Sequence, residues 1–149
     1  MAYRVAPVPR RQFAPVREVA AVASEVADLI LIHRDEAQGV VDACRRRVLD
    51  AQGELNEQQT ATLTEARERS FVLEIYDGCG EAGIAESMHI VVVPDLPLYV
   101  AFSDAEHETV HMPTLQRLAQ GLGYTIERVA TDFLLESLIM GGDVPIAEA

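Results

Sequence analysis

The sequence contains no lysine and no tryptophan, and only 5% of its 149 residues are aromatic. All twelve basic residues are arginines, so Schiff-base chemistry and general-base catalysis by a lysine amine are excluded. The two cysteines, Cys44 and Cys79, are too far apart to form a CxxC motif and too few for a disulfide framework. We therefore expect a protein of the reducing cytoplasm, with Cys79 as an ordinary loop thiol.

Long hydrophobic runs are also missing. Apolar stretches such as residues 29–32 are far shorter than the roughly 20 residues that span a bilayer. Arg10 and Arg11 resemble a twin-arginine export signal, but charged residues interrupt the segment that would have to be its apolar core. The sequence predicts neither export nor membrane insertion.

Acidic residues outnumber basic ones by 24 to 12, which gives a formal charge of −12. Residues 1–70 hold ten arginines and eleven acids, whereas residues 71–149 hold two arginines and thirteen acids. This charge repels nucleic-acid phosphates, so we expect no nucleic-acid partner. The acidic second half suits a cation or a basic protein partner, and a plain solvated surface is the alternative.

Length and composition indicate one compact domain. With 49% hydrophobic and 24% charged residues, the chain is neither disordered nor fibrous in type. Pro7, Pro9 and Pro15 fall in the first fifteen residues. We expect residues 1–14 to form an extended arm and residues 15–149 to form a single α+β domain.

The first half has helical periodicity. Apolar residues between positions 16 and 52 recur mostly at spacings of three, four and seven. Gly39 either divides this run into two helices or lies within one. Asn56 and Gln59 match a capping box that opens a further helical segment. Residues 15–70 are therefore predicted to form a helical layer.

The second half begins with β-type patterns. Residues 71–76, 88–93 and 98–102 are rich in β-branched and aromatic residues and are separated by glycine and proline. Helical spacing returns after Thr114, and a second helix is predicted from Ile126 to Met140. The fold class is α+β, with a small antiparallel sheet at about 71–102 and C-terminal helices.

One motif carries chemistry: His107, Glu108 and His111 form an HExxH pentapeptide. On a helix, positions i and i+4 share a face, so two imidazoles can bind one Zn²⁺ while the glutamate activates a metal-bound water. The other histidines have simpler interpretations. His89 is expected to be a hydrogen-bonded strand residue and His33 a helix-surface residue.

The backbone of the motif has two interpretations. Ser103 as N-cap with Glu106 as its capping-box partner would begin a helix. Alternatively, residues 98–102 and 108–112 would form a hairpin, which Pro113 favours because proline ends or kinks a helix. The hairpin would separate the two histidines by about 13 Å and destroy the site.

A zinc site needs a third ligand, and Glu127 follows His111 by 16 residues. Asp132 and Glu136 are alternatives for that position.

Residues 71–140 resemble the ImmA/IrrE-type metallopeptidases, zinc enzymes of the gluzincin kind that typically cleave repressor proteins. The resemblance includes the strand and turn at residues 90–97, which precede the HExxH motif. It continues in a later pattern formed by Glu127, Ala130, Phe133, Leu138, Ile139 and Met140. It implies that His107, His111 and Glu127 bind zinc and that Glu108 is the general base.

Two functions are therefore expected. The first is a small zinc-dependent peptidase that hydrolyses a peptide bond in a protein substrate. The second is a non-catalytic acidic interaction protein, such as an adaptor, an inhibitor or a phage-type accessory factor, which binds a basic protein partner. In the second case the helical half would support a homodimer.

Overall fold

The computed structural model of the protein describes residues 2–7, 13–76, 87–93 and 96–130. These residues form six strands and four helices, and the predicted α+β class is confirmed. The strands are β1 (Ala2–Pro7), β2 (Leu29–His33), β3 (Phe71–Tyr76), β4 (Ser87–Val92), β5 (Leu98–Ala101) and β6 (Tyr124–Val129). The helices are α1 (Val16–Val26), α2 (Arg34–Gln52), α3 (Glu57–Arg69) and α4 (Ala105–Leu122).

The six strands form one sheet in the order β2-β3-β4-β5-β1-β6, and every neighbouring pair is antiparallel. The sheet is larger than predicted, because three strands lie outside residues 71–102. The prediction of an extended arm is wrong for residues 2–7, since β1 lies between β5 and β6. Its one described proline, Pro7, is the last residue of the strand, where proline interferes least with strand pairing.

Helices cover both faces of the sheet. Alternate strand residues, such as Leu73 and Ile90, pack with α1 and α4 in the main hydrophobic core. Gly121 lets α4 approach α1 closely, because a Cβ atom there would lie 2.5 Å from Cγ1 of Val22. We call this side of the sheet the α1/α4 face.

The opposite side is the α2/α3 face. A smaller cluster of buried residues lies there, formed by Val41, Cys44, Val48, Leu63 and Ala66. Val93 packs against this cluster from the end of β4, and its neighbour Val92 belongs to the main core. The two cores are therefore separated by the sheet.

The predicted capping box and the three predicted strands are confirmed. Asn56 caps α3, and Gln59 completes the capping box by accepting a hydrogen bond from the Asn56 backbone. Gly39 lies inside one helix, α2, and does not divide two helices. The three predicted strands also form, as β3, β4 and β5.

Two helical predictions are wrong. Residues 29–33 form β2 within the run predicted to be helical, because consecutive leucine and isoleucine residues suit a strand that pairs with β3. Residues 126–129 belong to β6, since Gly123 ends α4 at a φ of 72° and the chain returns along β1. The rest of the predicted helix, to Met140, lies outside the described residues. None of the described helices is long and apolar enough to cross a membrane.

Candidate metal centre and a second histidine cluster

The HExxH pentapeptide lies in the first half of α4, so its helical interpretation is confirmed and the hairpin is wrong. The N-cap is Asp104, one residue later than predicted, and its Oδ1 accepts a hydrogen bond of 2.8 Å from the backbone N–H of His107. The helix continues through Pro113 to Leu122. Although proline removes one helical hydrogen bond, the fully buried Leu115 and Leu118 anchor the turns beyond it.

The two histidines of the motif share a face of α4 but have different surroundings. Their ring centroids are 6.0 Å apart. The side chain of His107 is 39% exposed, and its Nδ1 lies 3.1 Å from Oδ1 of Asp104. His111 is buried and stacks on Phe102 at a centroid distance of 6.3 Å and an interplanar angle of 9°.

The N-terminal turn of α4 stabilises the Asp104 carboxylate. The backbone N–H of His107, and then its side chain, hold the pKa of Asp104 below its usual range. His107 thus contributes to the cap of its own helix.

Glu108 contacts the sheet. Its Oε1 accepts a hydrogen bond from the Tyr3 hydroxyl on β1. Burial, followed by this hydrogen bond and the charge of Glu108, raises the pKa of Tyr3 to about 12, against an opposing effect of Arg128. One oxygen of the predicted general base is therefore engaged by a phenol that stays protonated at neutral pH.

Glu127 lies on β6, directly opposite Arg4 on β1. The guanidinium of Arg4 donates to Oε2 of Glu127, from Nε at 3.0 Å and from Nη2 at 2.5 Å. The neighbouring residue of β1, Tyr3, points toward α4, so Arg4 and Glu127 point to the opposite side of the sheet. The structure does not bring Glu127 to the two histidines.

The described residues consequently do not fit a zinc ion at the predicted site. Within them, no group of three or more histidine, cysteine, aspartate or glutamate residues is arranged to hold a metal. The rings of His107 and His111 lie close together as predicted, but the predicted third ligand, Glu127, does not lie with them. Asp132, Glu136 and Cys79 lie outside the described residues.

A second polar cluster lies on the α2/α3 face. The Glu74 carboxylate on β3 accepts a hydrogen bond from Nε2 of His33 at 3.1 Å, and its other oxygen lies 2.9 Å from Nε2 of His89. Nδ1 of His89 lies 2.7 Å from Oε1 of Glu36, in the first turn of α2. The cluster joins β2, β3, β4 and α2.

The charge of Glu74 is stabilised by its neighbours. Burial by itself raises the pKa of Glu74, but hydrogen bonds from His33 and Tyr76 and the charge of His89 outweigh it, and the pKa falls below 4.5. The prediction that His89 is hydrogen-bonded in a strand is confirmed. The prediction that His33 lies on a helix surface is wrong, since it ends β2.

Sequence reasoning missed this cluster, although one signal was present. Glu74 is the only charged residue in the strand 71–76, and a carboxylate that is only 13% exposed requires partners. His89 lies opposite it in the register of β3 and β4. Strand pairing, which the sequence does not state, was needed to connect them.

A cavity of about 440 Å³ lies at the other end of the strands from the pentapeptide. Its lining includes Phe13, Arg34, Arg69, Leu98 and Tyr124, and none of the residues of the HExxH motif. The motif therefore does not open into this cavity.

No protein-family model, no curated protein and no solved structure matches this chain. The similarity to ImmA/IrrE-type metallopeptidases therefore remains a resemblance in sequence.

Proposed function

We propose that this protein is a non-catalytic, acidic interaction protein that binds a basic protein partner, and that its HExxH motif has a structural role. The observation that carries the proposal is the placement of Glu127. It pairs with Arg4 on the side of the sheet away from α4. A motif whose predicted third ligand lies behind the sheet is better suited to holding α4 in place than to hydrolysis.

The contacts of the motif support a structural role. Glu108 connects α4 to β1 through Tyr3, and the ring of Tyr3 packs edge-on against Phe102 at a centroid distance of 5.9 Å. Phe102 in turn stacks on His111. These contacts fix the start of α4 against the middle strands of the sheet.

The outer face of α4 supports binding. The apolar side chain of Val110 is 50% exposed there. Glu106 lies one turn before it, and Asp104 is exposed at the N-cap. An apolar centre with an acidic rim, on a chain of charge −12, is complementary to a basic protein surface.

The proposal is tested by cross-linking in the source cells, followed by identification of the proteins joined to the chain. The double variant Glu106→Gln/Val110→Ser removes the acidic and apolar parts of this surface, and Glu57→Gln on α3 is the matched control. We expect basic proteins to be cross-linked to the wild type and the control and lost from the double variant. The same proteins with all three chains, or only acidic ones, would contradict the proposal.

A zinc peptidase is the second candidate. It is supported by the helical form of the motif and by the 6.0 Å separation of the His107 and His111 rings. Its third ligand would have to come from outside the described residues. Hydrolysis of an unfolded protein such as casein after zinc loading, abolished in Glu108→Gln, would favour this candidate over the first.

A cytoplasmic location belongs to the same proposal. It rests on the cysteine content.

A further inference from the structure

The outer strand β2 exposes an unusual amount of apolar surface. Leu29 is 52% exposed, Leu31 39% and Ile32 51%. In the described part of the chain, β2 pairs with β3 on one side and with no strand on the other. Sheet edges are normally protected by charge, proline or a covering element, and the stretch 29–32 has neither charge nor proline.

The exposed side chains lie on both sides of the sheet. Leu29 and Leu31 are opposite Tyr76 and Glu74, on the α2/α3 face, whereas Ile32 is opposite Leu73 of the main core. A helix packed on one face would cover only part of this set. A strand added alongside β2 would cover both sides and would also pair its free N–H and C=O groups.

The segment 28–34 is complementary to itself. An antiparallel pair with a two-fold axis at Leu31 places Leu31 beside its own copy and Ile30 beside Ile32. The same register places Leu29 beside His33, and it brings Asp28, which precedes β2, near Arg34, the first residue of α2, of the second copy at both ends of the pair. The strand thus offers matching apolar centres and two ion pairs to a second copy of itself.

We propose that β2 pairs with β2 of a second copy of this chain, in antiparallel register about Leu31, and forms a twelve-stranded sheet across a two-fold homodimer. Arg34 donates to the backbone oxygen of Glu68. A guanidinium has five N–H groups, so this contact leaves donors for Asp28 of the second copy. Because one strand pair buries less area than a standard interface, we expect a dissociation constant in the micromolar range, about 1–100 µM.

Analytical ultracentrifugation of the full chain between about 1 and 200 µM tests the proposal. Leu31→Arg places two like charges at the two-fold axis and should raise the dissociation constant at least about tenfold. Gln116→Arg adds the same charge at an exposed site on α4 and should leave the dissociation constant unchanged. Circular dichroism checks that both variants fold. A wild type that stays monomeric, or a dimer indifferent to Leu31→Arg, overturns the proposal.

A charge exchange tests the register. Asp28→Arg and Arg34→Asp should each weaken the dimer, because each places like charges opposite one another at both ends. The double variant Asp28→Arg/Arg34→Asp restores opposite charges and should recover most of the wild-type affinity. Failure of the double variant to recover affinity, with all three variants folded, would contradict this register.

Discussion

Each face of the sheet carries a pair of histidines, and the two pairs differ in what holds them. On the α1/α4 face, His107 and His111 are four residues apart and match a known motif. On the α2/α3 face, His33 and His89 are distant in sequence and match none, yet a ring nitrogen of each lies within 3.1 Å of the Glu74 carboxylate. The comparison teaches that a short motif shows which side chains are close, whereas the partners that complete a site depend on strand pairing.

The two faces also differ in the size of their cores. Among the described residues, the main core on the α1/α4 face contains eighteen buried residues, whereas the cluster between α2 and α3 contains five. A small core holds its helices less firmly, so the α2/α3 face should open first. Four predictions break or sharpen this comparison, beginning with the largest effect.

Truncating one leucine in each core compares how much the two cores contribute to stability. Leu118→Ala leaves a cavity in the main core and should lower the free energy of unfolding by about 2–5 kcal/mol. Leu63→Ala makes the same change in the smaller cluster and should lower the free energy of unfolding by less. Fewer buried side chains surround Leu63, and they can relax more easily into the cavity. Urea unfolding followed by circular dichroism measures both values. An equal or larger loss for Leu63→Ala would mean that the two cores are equivalent.

The two faces also differ in how much a carboxylate contributes to stability. Glu74→Gln removes the negative charge that both His33 and His89 contact. It should lower the free energy of unfolding by about 1.5–3 kcal/mol at pH 7. Glu108→Gln keeps an oxygen that can accept from Tyr3 and should cost less than about 1 kcal/mol.

The pH dependence follows from the lowered pKa of Glu74. Its stabilising effect is present above its ordinary pKa of 4.5 and is lost as the pH falls through the lower pKa of the folded state. The free energy of unfolding, measured from pH 7 to pH 3, should therefore fall more steeply in the wild type than in Glu74→Gln. The free energy of unfolding of Glu74→Gln should still fall slightly with pH, because the pKa of Asp104 is also lowered in the folded state. Parallel curves for the two chains would show that the cluster is not coupled to folding.

The smallest effect compares two helical glycines. Gly39→Ala on α2 should raise the free energy of unfolding by about 0.5–1 kcal/mol, because nothing lies within 4 Å of the new Cβ. Gly121→Ala on α4 should lower it by about 1 kcal/mol, since its Cβ would meet Val22. Thermal unfolding measures both, and Gly121→Ala/Val22→Ala should recover part of the loss. A gain of stability in Gly121→Ala would contradict the close packing of α1 on α4.

Local patterns predicted the parts of the fold that are decided locally. The capping box of α3 and the β-rich strands β3, β4 and β5 are properties of a few adjacent residues. The strands β1, β2 and β6 were missed because their partners are distant in sequence. β1, for example, pairs with residues almost a hundred positions later. Helical spacing around β2 and β6 was coincidental and was overridden by these pairings.

In the candidate site, too, local sequence says more about the helix of the motif than about the position of Glu127. The helix that carries His107 and His111 was one of two interpretations that the sequence left open, and its N-cap is Asp104 and not Ser103. The position of Glu127 could not be predicted, because it depends on the register of β6 with β1 and on Arg4.

Elemental mass spectrometry of the purified, tag-free protein tests the central claim most directly, with His107→Ala and Glu108→Ala measured alongside. If the HExxH motif is structural, none of the three chains should carry stoichiometric zinc, even after incubation with the metal. About one zinc per chain, lost in His107→Ala and retained in Glu108→Ala, would contradict the account and establish a metal site at the start of α4.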